Sequence, residues 1–178
     1  RQMCIRDRSK ALLTFGNQVN MTIILTLILV FFGLNFIDNI IPVFGGRGTI
    51  FEPAKIYYRI VLYGVPFLAL SMMGNTVIRA EGKPKFAMYA MMIPSVTNLL
   101  FDYIFINIMD LGMMGAAWAT TGSYILCFIF IFWFFISDNS EMKVLIHHFK
   151  LKKSIVYQIS SLGSVTLSRQ AVVSITYL

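Results

Sequence analysis

Apolar residues in this chain come in long unbroken runs rather than in a two-residue alternation. One run extends from roughly Leu12 to Phe44, contains "MTIILTLILVFFGLNFI", and breaks at "VFGGRG", where paired glycines interrupt it. A second extends from about Ala54 to Ala80 and stops at "AEGKPK", with Gly82 and Pro84 as the breakers. A third covers about Phe86 to Met109, and a fourth about Gly112 to Ser137, including the aromatic stretch "FIFIFWFF". After a polar segment from Asp138 to Lys153, a fifth apolar stretch begins near Ser154 and runs off the end of the chain. A hydrocarbon core of about 30 Å is crossed by about 20 helical residues, so the pattern predicts four complete transmembrane helices and part of a fifth. A membrane barrel would alternate in polarity over segments of about ten residues, and these runs do not alternate. The expected fold class is an all-α polytopic membrane bundle.

Composition strengthens this picture. The 178 residues are 57% hydrophobic and only 13% charged, with a mean hydropathy of +0.73, too little polar surface for a water-soluble domain of this length. The net charge of +7 does not point to nucleic acid, because the bases fall between the apolar runs, where membrane topology places them. Lys10, Arg79, Lys83, Lys85, Lys143, Lys150, Lys152 and Lys153 lie on one side; Arg47, Lys55 and Arg59 lie on the other, with Glu52 and Asp110. The richer side is expected to be cytoplasmic. This puts the Lys83/Lys85 loop and the Lys150–Lys153 loop on the cytoplasmic side of a plasma (inner) membrane.

The first eight residues, "RQMCIRDR", match nothing that follows, and "MCIRDR" reads as a translated sequencing-adapter remnant. Residues 1–8 are therefore set aside as a non-native leader, and the chain is expected to be a piece of a longer protein. Residues 138–153 form a basic connector. Within it "EMKVLIHHFKLKK" is either an interfacial helix along the headgroups or an ordinary linker between helices. The adjacent His147 and His148 would point to different faces of a helix and make a poor chelate. Cys4 and Cys127 are far apart, with no disulfide framework or metal site in view. No nucleophile–base pair, metal cluster or phosphate loop stands out, so no enzymatic activity and no organic cofactor are expected.

The candidate chemistry lies in the third run. Asp102 stands inside "SVTNLLFDYIFI", and Asn98, four residues earlier, shares its helix face. An ionised carboxylate within a membrane is costly unless it faces a polar cavity, pairs with a cation or stays protonated. A carboxylate, an amide carbonyl and a hydroxyl are hard oxygen ligands suited to sodium; the same carboxylate can carry a proton instead. Pro94 removes one helical hydrogen bond and frees a carbonyl near Ala90. The fourth run opens "LGMMGAAWATTG", whose Gly112, Gly115, Ala116, Ala117, Ala119 and Gly122 permit close helix approach. Within that stretch, Thr120 can face Asp102 or simply bond its own helix one turn back.

The segment from Tyr57 to Thr120 resembles the multidrug and toxic compound extrusion (MATE) family. The likeness rests on Tyr58, Ile60–Val61, Gly64, Pro66 and Phe67; on Arg79-Ala80-x-Gly82; on Asn98-x-x-x-Asp102 followed by Phe105-Ile106; and on Leu111-Gly112-x-x-Gly115-Ala116-Ala117-x-Ala119-Thr120. It extends over nearly the whole chain after residue 8. In that family, twelve helices form two six-helix lobes facing a central cavity. The resemblance implies that residues 9–137 supply helices three to six of the first lobe, and residues 154–178 the start of helix seven. There "SLGSVTLSRQAVVS" is similar to the family's phrase, with Val165 where proline is usual. Arg169 in that stretch either partners an acidic group of the remaining lobe or snorkels to the interface.

By the same resemblance, Asn98, Asp102 and Thr120 form part of a first-lobe cation site, completed by an aspartate on a first helix outside this chain. The implied function is a secondary active antiporter exporting amphipathic organic compounds in exchange for sodium ions or protons. Its partners would be the small-molecule substrate, the lipid bilayer and the rest of its own chain. The alternatives are a related exporter or flippase of lipid-linked glycans, or a non-transporting helix bundle in which Asp102 associates helices.

Overall fold

A computed structural model of the chain describes residues 5–137, 140 and 153–176. In order, its elements are α1 (Ile5–Asn35), α2 (Ile37–Val43), a 3-10 turn (Gly48–Ile50), α3 (Phe51–Ala80), α4 (Pro84–Asp102), a π-helical turn (Tyr103–Ile108), α5 (Gly112–Ile136) and α6 (Lys153–Thr176). There is no strand among the described residues. In lipid a backbone must satisfy its own hydrogen bonds, and among open segments only the helix does so. Among the described residues, four segments are long and apolar enough to cross a membrane: Ala11–Asn35, Gly48–Ala80, Pro84–Ile108 and Gly112–Ile136. The third has the lowest mean hydropathy, 1.4 against 2.0 for the fourth. It is the one that carries Asn98 and Asp102.

Three boundaries differ from the hydropathy pattern. The first apolar run is not one helix, since it breaks at Phe36 and resumes as α2, which contains Pro42. The break falls among Asn35, Asp38 and Asn39, and Asn35 spends its amide on the Phe31 carbonyl at 2.7 Å, a local bond that competes with helix continuation. α1 begins at Ile5, so Ile5–Arg8 of the presumed leader are helical, while residues 1–4 lie outside the described part. The third run leaves α-helical geometry at Tyr103 and finishes as a π-turn. Most of the 138–153 connector, including His147, His148, Lys143, Lys150 and Lys152, lies outside the described residues.

The chain divides into two units, residues 1–21 with 144–178, and Thr22–Lys143. In the first, α6 is a single helix that continues through Val165, and its Tyr157, Leu167 and Val172 are exposed. The second unit holds α2 to α5, with α5 packed against both α3 and α4. The turn between α3 and α4 follows from its residues. Gly82 adopts φ +77°, the left-handed conformation favoured after a helix, and Lys83 N–H bonds back to the Ile78 carbonyl at 3.2 Å. Pro84 then opens α4 at a position needing no N–H donor.

The second unit buries polar as well as apolar side chains and exposes many large apolar ones. Ser71, Asn75, Thr121 and Ser123 are buried, whereas Leu25, Phe31, Leu99, Ile108 and Ile136 are exposed. Such a surface suits acyl chains, and interiors of small and hydroxylated residues are what helices use to associate in lipid. The dry core comprises Ile78, Ala87, Ala90, Cys127, Ile131 and Phe134, flanked by Phe86, Phe130 and Phe135. Small residues let the helices meet closely. A Cβ at Gly74 would lie 2.5 Å from Ile131 Cγ2, and one at Gly115 would lie 2.9 Å from the Phe105 backbone oxygen.

Candidate functional site

Asn98, Asp102 and Thr120 all lie in the second unit. Along the outer part of α4 and into the π-turn, burial alternates at helical spacing. Pro94, Thr97, Asn98, Phe101, Asp102 and Phe105 are half-buried, while Ser95, Val96, Leu99, Leu100, Tyr103 and Ile104 are exposed. Asp102 therefore shares the inward stripe with Asn98 instead of the exposed apolar face. α4 is packed along α5 on that side, and Asn98 Nδ2 donates to Thr120 Oγ1 across the seam at 3.5 Å, the outer limit of a hydrogen bond. Thr120 Oγ1 in turn donates to the Ala116 carbonyl at 3.0 Å. The hydroxyl thus bonds its own helix one turn back and meets Asn98 on α4.

An amide whose nitrogen faces a hydroxyl keeps its oxygen as an acceptor. Asn98 Oδ1 and the Asp102 carboxylate are then two oxygen groups one turn apart on one stripe, with Thr120 Oγ1 opposite. Hard cations and protons are held by groups of this type. Immediately after Asp102 the helix widens into the π-turn, where Leu111 N–H reaches back to the Phe105 carbonyl at 3.0 Å. Asp110 then takes φ +52° before α5 begins. Single π-turns of this kind recur beside functional residues.

The neighbouring threonine has a different task. Thr121 is buried, and its hydroxyl donates to the Ile60 carbonyl of α3 at 3.1 Å. Thr120 and Thr121 thus tie α5 to two different helices. Asn75 ties α3 to α4 through the Ala87 carbonyl at 2.6 Å, and the Cys127 thiol donates to the Ala90 carbonyl at 3.1 Å. Sequence reasoning singled out neither Asn75 nor Cys127 for such roles. For Asn75 a signal was available, an amide inside an apolar membrane-length helix, on one face with Ser71. For Cys127 the only signal was indirect, since Pro94 frees the carbonyl that the thiol takes.

Other candidates fall elsewhere. Arg169 is exposed on α6. A cavity of about 460 Å³ lies at the Arg47 end of the second unit, lined by Ile40, Ile41, Phe44, Tyr57, Tyr58 and Met113 among others. None of the three polar residues lines it, so the cavity and the polar stripe are separate places.

Comparison with known proteins gives a consistent picture. The MatE family model matches residues 5–104. Multidrug export protein MepA of Staphylococcus aureus is 27% identical over 158 residues, covering 89% of this chain and 35% of that protein. An inward-facing multidrug resistance MATE family transporter of the MOP superfamily superposes with a TM-score of 0.80 at 29% identity, over 86% of this chain and 35% of the transporter. A MOP superfamily transporter from Pyrococcus furiosus, whose reverse-polarity binding pocket suggests a different function, gives a TM-score of 0.77 at 29% identity over 85% of this chain and 34% of its own. The chain spans about a third of the length of the curated relatives it matches.

Proposed function

The chain belongs to the MatE family, and from that premise we propose that it forms part of a secondary active antiporter that exports amphipathic organic compounds in exchange for sodium ions or protons. The observation that carries this reading is the half-buried stripe on α4. Asp102 stands one turn beyond an amide that meets the Thr120 hydroxyl across the α4–α5 seam. Asn98, Asp102 and Thr120 would hold the coupling cation there, Asp102 supplying the charge and the other two supplying neutral oxygens. In this reading residues 9–137 are helices three to six of a first lobe, and the Lys83/Lys85 end faces the cytoplasm of a plasma membrane.

A cation drives export only if it binds one lobe arrangement more tightly than another. The coupling equals that difference in affinity and nothing more. A carboxylate on a membrane helix is suited to this, because its charge is tolerated when a cation or proton neutralises it and costs several kcal/mol when it does not. An organic, drug-like substrate is supported by relatives such as the multidrug export protein of Staphylococcus aureus. The Pyrococcus furiosus transporter is a reminder that pocket polarity varies on this fold.

The test uses the full-length protein in vesicles. Efflux driven by an imposed sodium gradient, and separately by a proton gradient, is measured for wild type and Asp102→Asn at matched abundance. Loss of gradient-driven efflux in the variant supports the reading, and unchanged efflux overturns it.

A further inference from the structure

We propose that Cys127 is a positioning residue for the cation seat, its thiol holding the carbonyl that Pro94 frees and so fixing α4 against α5 two turns before Asn98 meets Thr120. The proposal rests on the reading of Asn98, Asp102 and Thr120 given above and deepens it.

Pro94 has no N–H, so the Ala90 carbonyl four residues earlier loses its regular α-helical donor. Ala90 and Cys127 are both buried in the dry core. Among buried apolar side chains a carbonyl without a hydrogen-bond donor is costly. The Cys127 thiol of α5 fills the gap at 3.1 Å. α4 and α5 are therefore joined at the backbone oxygen that the proline exposes.

The register carries this node to the site. Asn98 lies eight residues beyond Ala90 on α4, and Thr120 lies seven residues before Cys127 on the antiparallel α5. Both pairs thus sit on one seam, with Pro94 between them. At about 1.5 Å per residue, Asn98 is about 6 Å past the proline and Asp102 about 12 Å past it. Each ten degrees of bend then moves them by about 1 Å and 2 Å. The Asn98–Thr120 contact is already 3.5 Å long, so a displacement of that size decides whether it exists. A thiol is a weak donor, which suits a clamp on a helix that must shift during transport.

The experiment is a mutant cycle in the full-length protein. Cys127→Ala removes the donor, Cys127→Ser retains one, and Pro94→Ala restores an N–H to the Ala90 carbonyl and makes the outside donor redundant. In vesicle efflux, Cys127→Ala is expected to raise the half-saturating cation concentration between about twofold and tenfold, with maximal rate and abundance little changed and Cys127→Ser near wild type. In the Pro94→Ala background, Cys127→Ala should add no further shift. An equal shift in both backgrounds, or a fall in abundance alone, overturns the proposal.

A second readout does not depend on transport. Cysteines placed at Asn98 and Thr120 should cross-link more slowly with Cys127→Ala than with Cys127→Ser when Pro94 is present, and equally fast when it is alanine. Cross-linking that ignores Cys127 overturns the clamp even if Asp102→Asn abolishes coupling. A Cys127-dependent cross-link with no effect of Asp102→Asn on efflux overturns the cation seat, and with it the clamp's role in cation binding.

Discussion

The α4–α5 seam has two halves built from the same pair of helices. The inner half, around Ala87, Ala90, Cys127, Ile131 and Phe134, is buried and apolar, and its Phe86 and Phe134 rings are 5.1 Å apart. The outer half, around Asn98, Asp102 and Thr120, is half-buried and polar. It ends in a π-turn and a left-handed Asp110. Pro94 divides them. The inner half resembles a device for holding helices together, because removing any part of it leaves a void. The outer half leaves a carboxylate and an amide oxygen on an inward stripe of a membrane helix, an arrangement that packing alone does not require. The contrast teaches where to look for function in a greasy bundle: at the place where the packing rule is relaxed.

The largest expected effect breaks the comparison at its inner end. Phe134 is fully buried, so Phe134→Ala should cost about 3 kcal/mol of stability. A thermal melt of the purified full-length protein would report this, and the half-saturating cation concentration of the surviving protein should stay at its wild-type value. Gly115→Ala comes next. The new Cβ would press on the Phe105 backbone oxygen at 2.9 Å, and backbone yields less easily than a side chain, so a loss of about 1–3 kcal/mol is expected. Membrane abundance and melting temperature check it, and an unchanged melt would show that the π-turn moves freely.

Asp102→Asn sharpens the comparison from the other side. Gradient-driven efflux should fall at least about tenfold, equivalent to about 1.4 kcal/mol of coupling, while the melting temperature stays within the spread of surface variants. The smallest effect is expected at Thr120. Its bond to Asn98 is long, so Thr120→Ala should weaken apparent cation affinity about two- to threefold and Thr120→Ser should be near neutral. A larger loss for Thr120→Ala than for Asp102→Asn would invert the assigned roles.

The spans were legible in the sequence because crossing lipid imposes a composition, and apolar runs of sufficient length betray it. The turn at Gly82–Pro84 was legible because those two residues have few other conformational uses. The break at Phe36 was not, since an apolar residue between two helices looks the same as one within either. The π-turn after Asp102 was equally silent, because its residues are as apolar and β-branched as those of many α-helices. At the candidate site, Asn98 and Asp102 were found by spacing, and the freed carbonyl near Ala90 by the chemistry of proline. The thiol that takes that carbonyl was not, because the pairing of Ala90 with Cys127 depends on an interhelical register that no local pattern encodes. Thr120 was singled out in the sequence, but the bond of Thr121 to the Ile60 carbonyl of α3 was not, for the same reason.

The most direct test of the account counts cations. Equilibrium binding of sodium to the purified full-length protein, with proton uptake followed in parallel, compares wild type with Asp102→Asn and with Phe134→Ala. The account predicts that Asp102→Asn loses one saturable cation, sodium or proton, while Phe134→Ala binds with wild-type stoichiometry and affinity. An Asp102→Asn protein that binds the same number of cations with the same affinity would contradict it.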